Sequence, residues 1–293
     1  MNHAFLIIAH SNPIFLKKII EQLWSMNHFF FIHIDKKQPL DNFKMIKEIH
    51  NGKNIFFLTG KNRISISWGG FSLILCELNL LNEALKAKPV IDYFHLISGA
   101  DYPCKSNKEF DAFFEQNKGR SFMHFDSEIE IEMWNKTKYL NRVKNWNFND
   151  IQWLGKTQRR LLSAFFNLLI KRKQIPGLVA GWQWFSWHRS LTEWVLSNID
   201  KHRQLLYRFK YTSCSDEMFF HTLLYPHIHE LNIEPYNSLR FIEWHPKRQY
   251  TTLPLILDET EYNDIIKSGA IFCRKVDPIQ SQKLIKKLDK YIQ

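Results

Sequence analysis

Short apolar runs alternate with amphipathic stretches over residues 1–100, the pattern of strands joined by crossover helices in a largely parallel sheet. Strands are expected at 4–9, 29–35, 54–58 and 93–98. Pro13 is placed to open the first helix, whose apolar residues Phe15, Ile19, Ile20 and Leu23 recur at helical spacing. A second helix is expected over 71–86, after the break at Gly69 and Gly70. From 127 to 181 the regular pattern lapses, and a dense apolar block, 161–170, lies between Arg159-Arg160 and Lys171-Arg172-Lys173. Regularity returns with a strand at 182–187, a helix at 191–199, a helix beginning near Ser215, a strand at 270–276 and a basic C-terminal helix. No repeat or low-complexity linker divides the chain, so a single α/β domain over 1–293 is expected.

The 45% hydrophobic content is ordinary for a globular core, but 15% aromatic residues with ten tryptophans is high. Indole rings serve where a ring must pack and still meet a polar ligand such as a sugar or a base. A formal charge of +11 suits an anionic partner, whether nucleic acid, nucleotide-sugar or acidic membrane. Cys76, Cys104, Cys214 and Cys273 are widely spaced and form no CxxC pair, so neither zinc nor a disulfide framework is indicated and a cytoplasmic setting is expected. The opening MNHAFLIIAHSNP reads as a buried strand rather than a signal peptide. No apolar run reaches the roughly 18 residues of a membrane span.

Ligands of open α/β sheets sit outside the carboxyl ends of the strands, which directs attention to polar residues that follow apolar runs. FFFIHID ends in Asp35, a carboxylate for a ribose or uracil, or equally a turn aspartate. SGADYP sets Asp101 near a pocket mouth, or in a plain turn before a helix. In SISWGG, Trp68 either stacks on a ligand or fills the core. SCSDEMFFHTLLY is read with Ser215 as an N-cap and Asp216 and Glu217 in the first turn of a helix, where the dipole favours a carboxylate. Such a residue is a structural first-turn acid or, facing a cleft, a general base. SLRFIEWHPKR and FCRKVD supply Arg240, Lys247, Arg248, Arg274 and Lys275, suited to a diphosphate or to solvent. There is no DxD tripeptide, the carboxylate pair by which many nucleotide-sugar enzymes hold a divalent ion. The absence of a GxxxxGK[ST] loop and of a GxGxxG fingerprint argues against a nucleoside triphosphatase or a nicotinamide enzyme.

Taken in order, FIHIDKK, SWGG, FHLISGADYP, GWQWF, SDEMFFHTLL, SLRFIEW and FCRKVD resemble the core-2/I-branching N-acetylglucosaminyltransferase and peptide O-xylosyltransferase family, glycosyltransferase family fourteen. The resemblance runs from the first strand to about Asp277 and is carried by the order of the blocks. It implies a GT-A-like, Rossmann-type nucleotide-sugar-binding domain, a UDP-sugar donor, inversion at the anomeric carbon and no metal. It puts Asp35 on the uridine, Trp68 beside the nucleotide and Glu217 in the role of general base. Arg240, Lys247, Arg248 and Lys275 fall in or beside the segments that hold the diphosphate, and Trp182 and Trp184, with Asp101, in those that shape the sugar and acceptor pocket. The irregular stretch 127–181 is then an acceptor-side insertion, and the chain resembles a bacterial cytoplasmic member lacking the animal anchor, stem and disulfide cysteines.

These readings give a β-linked product from an α-donor, with N-acetylglucosamine favoured over xylose and a glycan or lipid-linked glycan as acceptor. The expected site contains no metal, and nucleic acid is not an expected partner. A basic nucleic-acid binder, motivated by the aromatic and basic residues between Trp134 and Trp153, and an inactive sugar-binding module are the rivals. The block 161–170 is expected in a core; the competing reading places it on an anionic membrane, peripheral to the inner face.

Overall fold

The order of the main sheet follows from strands that are apolar on both faces. In this computed structural model, which describes residues 1–133, 136–245, 247–248 and 253–293, the first strands are β1 (His3–Ala9), β2 (His28–Ile34), β3 (Ile55–Phe57) and β4 (Tyr93–Ser98). Trp134 lies outside the described residues. Along β1, Ala4 and Leu6 join one core with Phe29, Phe31, Phe94 and Leu96. Phe5, Ile7 and Ala9 join the other with Phe30, Ile32 and Ile34. Burial on both faces is what turns these strands into continuous apolar runs. The helix Pro13–Leu23, with Pro13 in its first turn, covers one face together with the C-terminal helix Gln282–Ile292. The helices Ser72–Leu85 and Arg189–Asn198 cover the other.

The remaining strands were disclosed by sequence periodicity in only two cases. They are β5 (Tyr102–Pro103), β6 (Ser121–Phe125), β7 (Gly181–His188), β8 (Ile233–Glu234), β9 (Arg240–Ile242) and β10 (Phe272–Arg274). Only β7 lies close to an expected strand of similar length; the strand expected at 270–276 shortens to β10. The large sheet runs β3-β2-β1-β4-β7-β6-β8, and β7 alone is antiparallel to its neighbours. A small sheet, β5-β10-β9, packs beside it. Because β7 runs backwards, its first residues meet the carboxyl ends of β4 and β6.

Gly181, at the head of β7, permits the close approach. A Cβ there would stand 2.0 Å from the His124 carbonyl oxygen and 2.7 Å from the His221 ring. No side chain fits, so glycine lets β6 and β7 close at the bulge between Met123 and Phe125.

Two expectations fail in this part of the chain. No continuous helix begins at Ser215: Ser215–Glu217 forms one 3-10 turn, Met218 breaks away at φ −134°, and the helix proper is Phe219–Leu224. Ser215 is buried inside that turn and Cys214, at φ 49°, occupies the capping position. The apolar block 161–170 does not enter a core either. It lies mostly on the helix Lys156–Leu169, none of whose residues is buried. Its inner face is held by Phe166, 5.4 Å from the Trp146 ring and 5.1 Å from Phe148, leaving an outer apolar face in solvent.

Candidate active site

Four chain reversals meet at the carboxyl edge of the sheet. After β2, Asp35 accepts from the Lys37 amide at 2.9 Å and pairs with Lys37 Nζ at 3.2 Å. It is thus the aspartate of a tight turn, and it sits with 6% exposure at the strand end. Arg63 fixes that turn by donating to the carbonyls of Ile34, Asp35 and Gln38. Lys37 Nζ in turn donates to the Ile66 carbonyl at 2.5 Å, which ties Asp35 to the loop carrying Trp68. Trp68 is 84% exposed, so the reading of it as core is excluded.

The same loop supports Glu217. The Cys214 amide donates to the Gly69 carbonyl at 2.8 Å, and both residues take left-handed backbone angles. A Cβ on Gly69 would touch the Cys214 sulfur at 3.3 Å. The turn Ser215–Glu217 is therefore held on a glycine step rather than by a long helix's dipole. Glu217 is one-third exposed and its carboxylate accepts from Arg142 at 2.5 Å. Arg142 comes from the helix Lys136–Lys144, within the segment read as an insertion. That segment is also bound to the Trp68 loop, since Asp150 accepts from the Ser72 hydroxyl at 2.6 Å and Asn149 donates to the Trp68 carbonyl at 3.2 Å.

Three further acids lie in this region, of which sequence reasoning noted Asp216 but not Asp126 or Glu77. Burial, reinforced by the Glu217 charge, pushes the Asp216 carboxyl up to about 8. Burial likewise carries Asp126, just after β6, up to about 6. Glu77 is fully buried, accepts from Gln183 at 2.6 Å, and is driven well above the usual carboxylate range by burial. Burial thus favours the protonated forms of Asp216 and Glu77, whereas Glu217 is accessible and paired with Arg142. The sign for Asp216 is that of a raised acid: the fold favours its protonated form, so its contribution is complete below about 4 and is lost as pH rises to about 8. Asp216→Asn retains the shape and cannot ionise. Its melting temperature relative to wild type should rise between those limits by at least about 4 °C for a chain of this size. A difference that stays flat with pH refutes the buried, protonated Asp216.

The sugar-side tryptophans come from β7. Trp182 lies 4.2 Å from the His124 ring and 6.4 Å from Trp244, centroid to centroid. Trp184 is buried beneath the Arg274 guanidinium, 3.8 Å above its ring. Arg274 also pairs with Asp101 at 2.7 Å. Asp101 accepts as well from the Ser98 amide at 2.7 Å and the Ser98 hydroxyl at 2.5 Å. Asp101 is therefore fully buried and does not stand at a pocket mouth; its part is to hold Arg274 over Trp184. His124, Asp126 and Glu130 bring ligand atoms within 4.8 Å of one another, although Glu130 also accepts from the Ser127 amide and hydroxyl.

The cations read as diphosphate contacts separate into two groups. Arg240 is buried and donates to Ser186 Oγ and to the carbonyls of Ser238, Leu96 and Phe185. It fastens β9 to the main sheet, and burial closes it to a phosphate. Arg248 is tied to Asp258 at 2.8 Å and Glu261 at 2.5 Å, and Lys247 to Glu243 at 2.7 Å. Lys275 differs. Its backbone is clamped, donating to the Leu255 carbonyl and accepting from the Leu257 amide. Its ammonium has no hydrogen-bond or ion-pair partner among the described residues, and burial, then Arg274, lowers its pKa.

Comparison with known proteins adds a lineage to this geometry. Residues 3–266 match the family model described as Core-2/I-Branching enzyme. Xylosyltransferase 2 of Homo sapiens is 28% identical over 251 residues, covering 83% of this chain and 27% of the human protein. Xylosyltransferase 2 of Bos taurus is 25% identical over 314 residues, covering 99% of this chain and 33% of the bovine one. The chain thus spans about a third or less of the curated relatives it matches. Among solved structures, a galactosyltransferase LgtC in complex with donor and acceptor sugar analogs overlays on 100% of this chain and 96% of its own, at 7% identity and a TM-score of 0.49.

Proposed function

Because the chain belongs to the Core-2/I-Branching enzyme family, we propose that it is an inverting glycosyltransferase that moves a sugar from a UDP-sugar to a hydroxyl of a glycan, free or lipid-linked. The observation that supports this most is the accessible Glu217 carboxylate, held by Arg142 at the carboxyl edge of the sheet. Asp35 and the exposed Trp68 serve the nucleotide in this reading, Trp182 and Trp184 shape the sugar pocket, and Lys275 faces the diphosphate.

The chemistry is one displacement. Glu217 takes the acceptor hydroxyl proton while that oxygen bonds to the anomeric carbon and the bond from that carbon to the diphosphate oxygen breaks. The electron pair leaves with UDP, and the configuration inverts to a β-linkage. Growing negative charge on the diphosphate is met by the Lys275 ammonium, the role a divalent ion fills elsewhere. A partly desolvated ammonium gains more from that charge than a solvated one does.

The donor is N-acetylglucosamine or, as in the names of the relatives, xylose. Measuring UDP release from UDP-N-acetylglucosamine, UDP-xylose, UDP-glucose and UDP-galactose in EDTA tests this. One donor should be turned over at least about tenfold faster than the rest, with activity unchanged by the chelator. Strict dependence on added manganese overturns the metal-free reading and points to the His124, Asp126 and Glu130 cluster. Failure of every UDP-sugar to bind, with salt-sensitive binding to mixed oligonucleotides, would favour a nucleic-acid protein instead.

A further inference from the structure

The helix Lys156–Leu169 presents an apolar face that the other described residues leave exposed. Leu161, Phe165, Leu168 and Leu169 fall at i, i+4, i+7 and i+8, which is one side of a helix. All four are exposed, Leu168 by 83%, and so is Trp153 just before the helix, also by 83%. The opposite side is already occupied, with Phe166 against Trp146 and Phe148. The helix is also fixed in place. Arg159 donates to the Asn149 carbonyl at 2.8 Å, and Arg172, beyond its end, donates to the carbonyls of Asn145, Tyr211 and Arg208.

Charge selects what covers this face. Lys156 and Arg160 at one end and Lys171 and Lys173 at the other have exposed side chains. No Asp or Glu occurs between Asp150 and Glu193. A second copy of this chain would bring the same cations against these and repel them. An anionic phospholipid surface meets both features, because acyl chains accept the apolar stripe while headgroups neutralise the flanking lysines and arginine. Among the described residues no helix is long and apolar enough to cross a membrane, so the contact lies in the plane of the interface.

We infer that the helix Lys156–Leu169 docks on the surface of an anionic phospholipid bilayer, with Phe165 and Leu168 inserted and Lys156, Arg160, Lys171 and Lys173 at the headgroups. This contact is independent of the transferase reading, because its test measures lipid binding and not sugar transfer. The same inserted segment carries Arg142, the partner of Glu217, so docking would set the candidate site close to the lipid.

The test is flotation of the full chain with phosphatidylcholine vesicles, with and without phosphatidylglycerol. Wild type should float only with phosphatidylglycerol. Phe165→Ser/Leu168→Ser should bind at least about tenfold more weakly while melting at the wild-type temperature, since both residues are exposed. Lys156→Gln/Arg160→Gln/Lys171→Gln/Lys173→Gln should lose about a hundredfold or more. If wild type stays unbound, or the serine variant floats as well as wild type, the inference is overturned. It is overturned too if light scattering finds a dimer that the serine variant dissociates while no form of the protein floats, since the face is then self-associating.

Discussion

Glu217→Gln should lower turnover by roughly two to four orders of magnitude and leave UDP affinity within about twofold, the range attributable to a positioned general base. The amide keeps the size and still accepts from Arg142, so the turn on the Gly69 step should persist. What it cannot do is receive the acceptor proton. Because proton transfer belongs to the transition state, kcat and kcat/KM should fall together. The readouts are steady-state UDP release with the preferred donor and acceptor, and calorimetric titration with UDP. Turnover within about threefold of wild type would remove Glu217 from the chemistry and shift attention to Asp126, the nearby acid that follows β6. Arg142 makes the role of Glu217 more specific: at 2.5 Å it fixes one oxygen of the carboxylate and leaves the other to meet a hydroxyl.

Lys275→Ala should reduce kcat by about a hundredfold to a thousandfold, the scale for removing one preorganised group that meets developing charge. Unlike Glu217→Gln, it should also weaken UDP binding, because the ground-state diphosphate is already anionic. Lys275→Arg should restore part of the affinity and little of the rate, since a planar fork cannot take the place of a compact ammonium. UDP titration and single-turnover rates separate the two effects, and a melting temperature near that of wild type confirms that the clamp to Leu255 and Leu257 survives. If UDP affinity and rate are both unchanged, the diphosphate is neutralised by a group other than Lys275. The contrast with Arg240 shows what leaves the Lys275 ammonium open to a diphosphate. Arg240 looked equivalent in the sequence, yet its terminal nitrogens are taken by backbone carbonyls and Ser186.

Much of the frame was legible in the sequence because burial on both faces leaves a plain trace. The runs at 4–9, 29–35 and 93–98 are apolar without alternation, and each coincides with a strand of the sheet to within a residue or so. The helices at Pro13–Leu23 and Ser72–Leu85 were equally plain from their spacing. Strand β6 was not, since five residues between a turn and an irregular segment carry too short a pattern to distinguish. The resemblance of the ordered blocks named Glu217 and Lys275 and placed the chain in a family that residues 3–266 match.

By itself the sequence determined the strands and the two main helices of the first hundred residues and the residue types available for chemistry, because both depend on neighbours along the chain. Only the tertiary structure decided which of those residues are committed and which are exposed. Arg142 reaches Glu217 across 75 positions, and Arg274 reaches Asp101 across 173. Whether a cation is spent on a carbonyl, as in Arg240, or left open, as in Lys275, depends on contacts that no local spacing records. The same holds for the helix Lys156–Leu169. Its periodicity gave apolar residues on nearly every side, and only its docking through Phe166 fixed which side faces inward. Burial is a relation between distant segments, so the identity of an apolar residue states that it can be buried, and packing alone determines whether it is.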